Sequence, residues 1–149
     1  TDAHGLETVA ELWSHSPAKS LPGTLWRLYL LQLMVRDDAA TAALLYERGR
    51  TVLHSVDDVV AGAPTPAGPE ELMTLVDEIL RGVFTGDFAV ALERAAAFSR
   101  VMGAGCRELA APDGDNDRAA DERRRADSYD AIAGELTRAA SAWRAGLLH

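Results

Sequence analysis

The chain is short of several residue types that common classes of protein need. Its 149 residues include one cysteine, Cys106, and one lysine, Lys19. A single cysteine can form neither an internal disulfide nor a thiolate cluster around zinc. Lys19 lacks the preceding glycine pattern of a phosphate-binding loop, and no Gly-x-Ser-x-Gly elbow occurs. These absences exclude the commonest signatures of nucleotide binding and of serine hydrolysis.

Long apolar runs and excess positive charge are also missing. The most apolar stretch, residues 25–35, is interrupted by Arg27 and Gln32, and its length of about 11 residues is far below the ~20 needed to cross a bilayer. The net charge is −8, which argues against a nucleic-acid partner because phosphates attract basic surfaces. With no signal-peptide pattern and one free cysteine, we expect a cytoplasmic protein with no membrane partner.

What the chain has in abundance is alanine, which occurs 27 times and is the strongest helix former. No stretch of four or more residues alternates in the manner of a strand. The sequence therefore predicts an all-α fold: a five- to six-helix, mostly antiparallel bundle around a central apolar helix. We expect residues 1–149 to form a single helical domain, with linkers near 61–69 and 111–117.

Capping residues and breaks place the predicted helices. Ser20 can cap a helix whose first turn contains Pro22, Asp37 or Asp38 can cap the next, and residues 85–87 form a later break with a new cap. Without a glycine or proline near Asp38, one continuous helix over 22–60 is the alternative. The predicted helices cover about 6–15, 22–36, 38–60, 69–84, 88–109 and 118–147.

Two of the predicted helices have apolar residues beyond a single stripe. The helix that begins near Pro22 is apolar almost all round, which predicts that it is the centre of the bundle and that Trp26 is a core residue. The helix over 88–109 carries a seam with alternating four- and three-residue steps, typical of close helix pairing. Apolar side chains off that seam predict a homodimer interface formed by Val90, Phe98 and Val101.

Metal binding is possible at two groups of acidic residues with a histidine. The residues of the first group are four apart, so they share one face of the first predicted helix. The residues of the second group lie close together on the third predicted helix. The alternative for both is an ordinary solvated surface, and we expect no cofactor. The weak candidate ligands are Glu7, Glu11, His15, His54, Asp57 and Asp58.

Three further features have a structural interpretation. Cys106 lies on the apolar seam, which predicts a small core residue rather than a nucleophile. The run Arg123-Arg124-Arg125 is flanked by acidic residues, so it predicts a self-paired, solvated helix face in which Asp121 pairs with Arg125. Gly49 in a helix interior predicts the close approach of a neighbouring helix.

The sequence favours a non-enzymatic helical interaction protein that associates with itself, because its apolar residues exceed what one small bundle covers. The alternative is a bundle that binds a small ligand or a metal, including an enzyme with carboxylates on its helices. A transcription regulator is the second alternative, although no basic recognition helix is visible.

Overall fold

A computed structural model describes residues 20–53, 68–110 and 117–149, and helices make up 91% of the described residues, with no strand among them. This confirms the predicted all-α bundle. The predicted helix over 6–15 and most of both linkers lie outside the described residues. The five described helices are α1 (Leu21–Asp37), α2 (Ala39–Leu53), α3 (Pro69–Thr85), α4 (Phe88–Ala110) and α5 (Asp117–Arg144).

Local capping explains where the helices begin. The side chains of Ser20, Asp38 and Asp87 each accept a hydrogen bond from the backbone amide three residues later, at 3.0–3.1 Å. Each bond satisfies an amide that has no partner within its helix. Asp38 has φ −148° and ψ 83°, which is not helical. The alternative of one helix over 22–60 is therefore wrong, and α1 and α2 are separate.

The central element is α4. Its buried side chains include residues off the predicted seam and most of the seam itself, and α2, α3 and α5 all pack against it. The buried seam residues are Leu92, Ala95, Ser99, Met102 and Cys106, while Phe88 and Leu109 at its two ends are partly buried. The prediction that α1 is the centre is wrong: its Leu33 is 42% exposed, and its Trp26 is half-buried and outside the core. Small side chains explain the difference, because the alanines of α4 let neighbouring backbones surround it. They are Ala89, Ala91, Ala95, Ala96 and Ala97.

A pair of glycines brings α2 and α4 into close contact. A methyl group on Gly49 would overlap the carbonyl oxygen of Val101, and one on Gly105 would overlap the carbonyl oxygen of Leu45. The predicted close approach at Gly49 is thereby confirmed. Residues 103–105 are helical although two of them are glycines, and Gly105 is the one that lies against α2.

The end of α5 has a Schellman motif. Gly146 has φ +73°, and the amides of Gly146 and Leu147 donate to the carbonyls of Trp143 and Ala142 at 3.0 and 2.8 Å. The helix accordingly ends at Arg144, three residues before the predicted end. The chain then returns to α1, because the amide of Leu21 donates to the carbonyl of His149 at 2.8 Å.

The helices α4 and α5 run antiparallel. The N-terminal end of α4 meets the C-terminal end of α5 where Phe88 packs on Trp143, and the opposite ends meet where Arg107 pairs with Asp127. No helix in the described part of the chain is both long and apolar enough to cross a bilayer.

Candidate functional site

The predicted metal ligands Glu7, Glu11, His15, His54, Asp57 and Asp58 all lie outside the described residues. Within the described ranges, no three histidine, cysteine, aspartate or glutamate side chains come together in a group that could hold a metal ion. The candidate site is therefore built from other residues.

The three predicted interface residues lie in different environments. Phe98 and Val101 are fully buried against the chain's own helices, and the ring of Phe98 stacks on that of Tyr46 at 5.4 Å. Val90, by contrast, is 44% exposed in the first turn of α4. Of the three, only Val90 offers surface to a second molecule, since α2 and α5 cover the sides of α4 on which the other two lie.

Exposed apolar side chains gather at one end of the bundle. Phe84 at the end of α3 is 81% exposed, and Leu147 after α5 is 69% exposed. Val90 and Trp143 are each a little under half exposed at the same end, and the ring of Trp143 packs edge-on against Phe88 at 4.6 Å. We call these four exposed residues, Phe84, Val90, Trp143 and Leu147, the apolar end.

A groove between α1 and α3 opens from this end. Leu25 and Tyr29 of α1 line it opposite Leu80 and Phe84 of α3. On each helix these positions are four residues apart, so they face the same way. Large side chains here hold the two helices apart, which leaves a volume of about 560 Å³. That volume is within the usual range for small-molecule sites.

The far end of the groove is polar. The amide nitrogen of Gln32 donates to a carboxylate oxygen of Asp77 at 3.4 Å, and the Arg36 guanidinium is 4.0 Å from the same oxygen. Arg81 also lines the groove one helical turn from Asp77. The groove thus changes from apolar near Phe84 to charged near Arg36. No sequence pattern predicts this groove, because α1 and α3 are not consecutive and nothing local to either helix places them side by side.

Cys106 lies in a third place of chemical interest, where α4 meets α5. Burial, with Glu122 nearby, raises the pKa of the Cys106 thiol to about 12, and burial also raises the pKa of Tyr129. The thiol is therefore protonated at neutral pH, and a protonated thiol is a poor nucleophile. This environment agrees with the interpretation of Cys106 as a core residue.

The arginine run on α5 is paired with its own helix. Arg124 pairs with Asp121, and Arg125 lies 3.8 Å from Glu122. These pairs are three residues apart, so the predicted pairing of Asp121 with Arg125 is wrong, although the predicted self-paired face is correct for these two arginines. The contact occurs at three-residue spacing because such residues are also neighbours on a helix surface.

Comparison of the chain with protein-family models, with curated proteins and with solved structures gives no match. The apolar end and the groove are therefore the features that bear on function.

Proposed function

We propose that the chain is a non-enzymatic interaction protein that forms a homodimer through its apolar end. The observation that carries the proposal is the placement of Phe84, Val90, Trp143 and Leu147 at one end of the bundle, with Phe84 81% exposed. Scattered apolar side chains are normal on a protein surface, whereas a concentrated group marks an interaction site. Contact between these apolar side chains and water is unfavourable, so a partner that covers them is stabilised by their burial.

A second copy of the chain is the partner that this surface favours. Two identical chains bury the same patch twice when they meet across a two-fold axis. Charged groups lie next to the apolar side chains: Arg144 donates two hydrogen bonds of 2.8 Å to Glu93, beside Trp143. An apolar centre with a polar rim is the usual composition of a specific interface. We expect the dimer to bury more than ~1,000 Å² in total.

Cys106 offers no activated nucleophile. The pKa of Cys106 is about 12, so this buried thiol supplies no thiolate at neutral pH. A lone buried thiol suits the reducing cytoplasm, which we propose as the location of the protein. The arginines at 124 and 125 are already engaged by carboxylates, which gives the alternative of a transcription regulator no support.

Sedimentation equilibrium of the full chain at micromolar concentration tests the proposal. We expect the mass of two chains for the unmodified protein and about tenfold weaker association for Phe84→Glu, because a buried charge at an interface centre is costly. Leu44→Glu is the matched control. Leu44 is 44% exposed on α2, which packs against the C-terminal half of α4, away from the apolar end. The mass of one chain at every concentration would contradict the proposal, as would equal effects of the two variants.

A further inference from the structure

The groove between α1 and α3 has a direction, because its polarity changes along its length. Leu25 and Phe84 line the end near the apolar end of the bundle, whereas Gln32, Arg36 and Asp77 line the opposite end. A molecule that fits such a groove has an apolar body and a polar head. The stretch of α1 from Leu25 to Arg36 is roughly 16 Å long at the helical rise of 1.5 Å per residue.

The charged side chains that line the groove determine whether the polar head of its ligand is an anion or a cation. The groove is lined by two arginines, Arg36 and Arg81, and by one carboxylate, that of Asp77. Asp77 already accepts from Gln32 and faces Arg36. Arg81 makes no ion pair with any residue in the described ranges. The groove is therefore locally positive in a chain of net charge −8, which favours an anion at this end and disfavours a cation.

We propose that the groove binds an amphiphile with one long apolar chain and a carboxylate head, such as a fatty acid. The head contacts Arg36 and Arg81, and the apolar chain lies against Leu25, Leu80 and Phe84. A guanidinium can hold a carboxylate with two parallel hydrogen bonds. The volume of about 560 Å³ suits one such molecule.

This inference does not depend on self-association. Phe84 belongs both to the groove and to the apolar end, so a bound apolar chain and a second copy compete for it. If the protein dimerises, the amphiphile therefore weakens the dimer. If the protein proves monomeric, the groove still binds the amphiphile, and the two proposals fail separately.

Isothermal titration calorimetry of the full chain with dodecanoate, below its micelle concentration, tests the site. We expect one molecule per chain and at least about tenfold weaker binding of dodecyltrimethylammonium, which has the opposite charge and an alkyl chain one carbon longer. Arg81→Gln should weaken dodecanoate binding about tenfold, since it removes one charged hydrogen-bond donor. Arg48→Gln, which makes the same change on the exposed face of α2, should leave binding unchanged. Equal binding of the two amphiphiles, or no effect of Arg81→Gln, would overturn the proposal.

A photo-crosslinking experiment identifies any other occupant of the groove. Tyr29→p-benzoylphenylalanine places the reactive group in the groove and outside the apolar end. A cross-link to dodecanoate, found by mass spectrometry of the full chain, supports the proposal. A cross-link to a peptide of the same chain outside α1 and α3, or a covalent dimer, in the presence of dodecanoate would show that protein occupies the groove and would overturn it.

Discussion

The two helix pairs α4–α5 and α1–α3 differ in how closely their helices pack. The α4–α5 pair is joined along its length, from the rings of Phe88 and Trp143 at 4.6 Å to Arg107 and Asp127 at 3.1 Å. The α1–α3 pair has Asp77 as its polar link, held at 3.4 Å by Gln32, and a groove beside it.

The size of the facing side chains accounts for this difference. Both α4 and α5 bury many alanines, such as Ala95 and Ala133, and a methyl group on Gly103 of α4 would lie 3.4 Å from the carbonyl oxygen of Ala126 on α5. Between α1 and α3 lie Tyr29, Leu80 and Phe84, which are too large to interdigitate fully and leave a volume open. In this bundle small residues form the closely packed half, and large apolar residues line the groove.

Replacing an aromatic ring with a methyl group in each half tests this comparison most strongly. Phe98→Ala should reduce the free energy of unfolding by ~3–5 kcal/mol, because it empties a fully buried volume on α4. Trp26→Ala should cost only about 1 kcal/mol, because Trp26 is half-buried on α1 and outside the core. Urea denaturation measures both. An equal cost for the two variants would mean that α1 is packed as tightly as α4.

Glycine-to-alanine substitutions sharpen the comparison at smaller magnitude. Gly105→Ala should destabilise the protein by roughly 1–3 kcal/mol, because the added methyl group overlaps the backbone of α2. Gly82→Ala on α3 should stabilise it by ~0.5–1 kcal/mol, because alanine loses less conformational freedom than glycine in a helix. The added methyl group would meet Ala91 at an ordinary 3.5 Å. The midpoint of thermal unfolding should therefore fall for Gly105→Ala and rise for Gly82→Ala. Movement in the same direction would contradict the close contact between α2 and α4.

The smallest expected effect concerns acid and the cap of α2. Hydrogen bonds from Thr41 hold the pKa of Asp38 below its usual value of 3.8. The folded state then binds fewer protons than the unfolded chain, so this stabilisation is present above pH 3.8 and is lost as the pH falls through the lower folded pKa. We expect Asp38→Asn to be less stable than the unmodified protein at pH 7, by a difference that shrinks towards pH 2. A constant difference across that range would show that the charge of Asp38 is irrelevant to the cap.

Features set by neighbours in the sequence were predictable. Ser20, Asp38 and Asp87 act as caps because a short polar side chain reaches an amide three residues away, whatever the rest of the molecule does. Gly49 was also informative, since a glycine in a helix interior needs a reason. These local rules predicted the number of helices in the described part of the chain and most of their ends.

Features set by long-range packing were not predictable from one sequence. Trp26 and Leu33 lie on a helix that is apolar nearly all round, yet α1 is not central, since alanine-rich α4 allows closer packing. Phe98 was predicted to lie at an interface because it lies off the apolar seam of α4, but the ring of Tyr46 covers it. The groove arises between two helices that are separated in the chain by α2, so no local pattern indicates it.

The crossing of α2 and α4 has a consequence for the evolution of the chain. Gly49 and Gly105 each lie against a carbonyl of the opposite helix, Val101 in one case and Leu45 in the other. A side chain at either position forces the two helices apart, which removes the reason for a glycine at the other. We therefore expect descendants of this sequence to keep or lose the two glycines together. Correlated change at positions 49 and 105 would then identify distant relatives after the rest of the sequence has diverged.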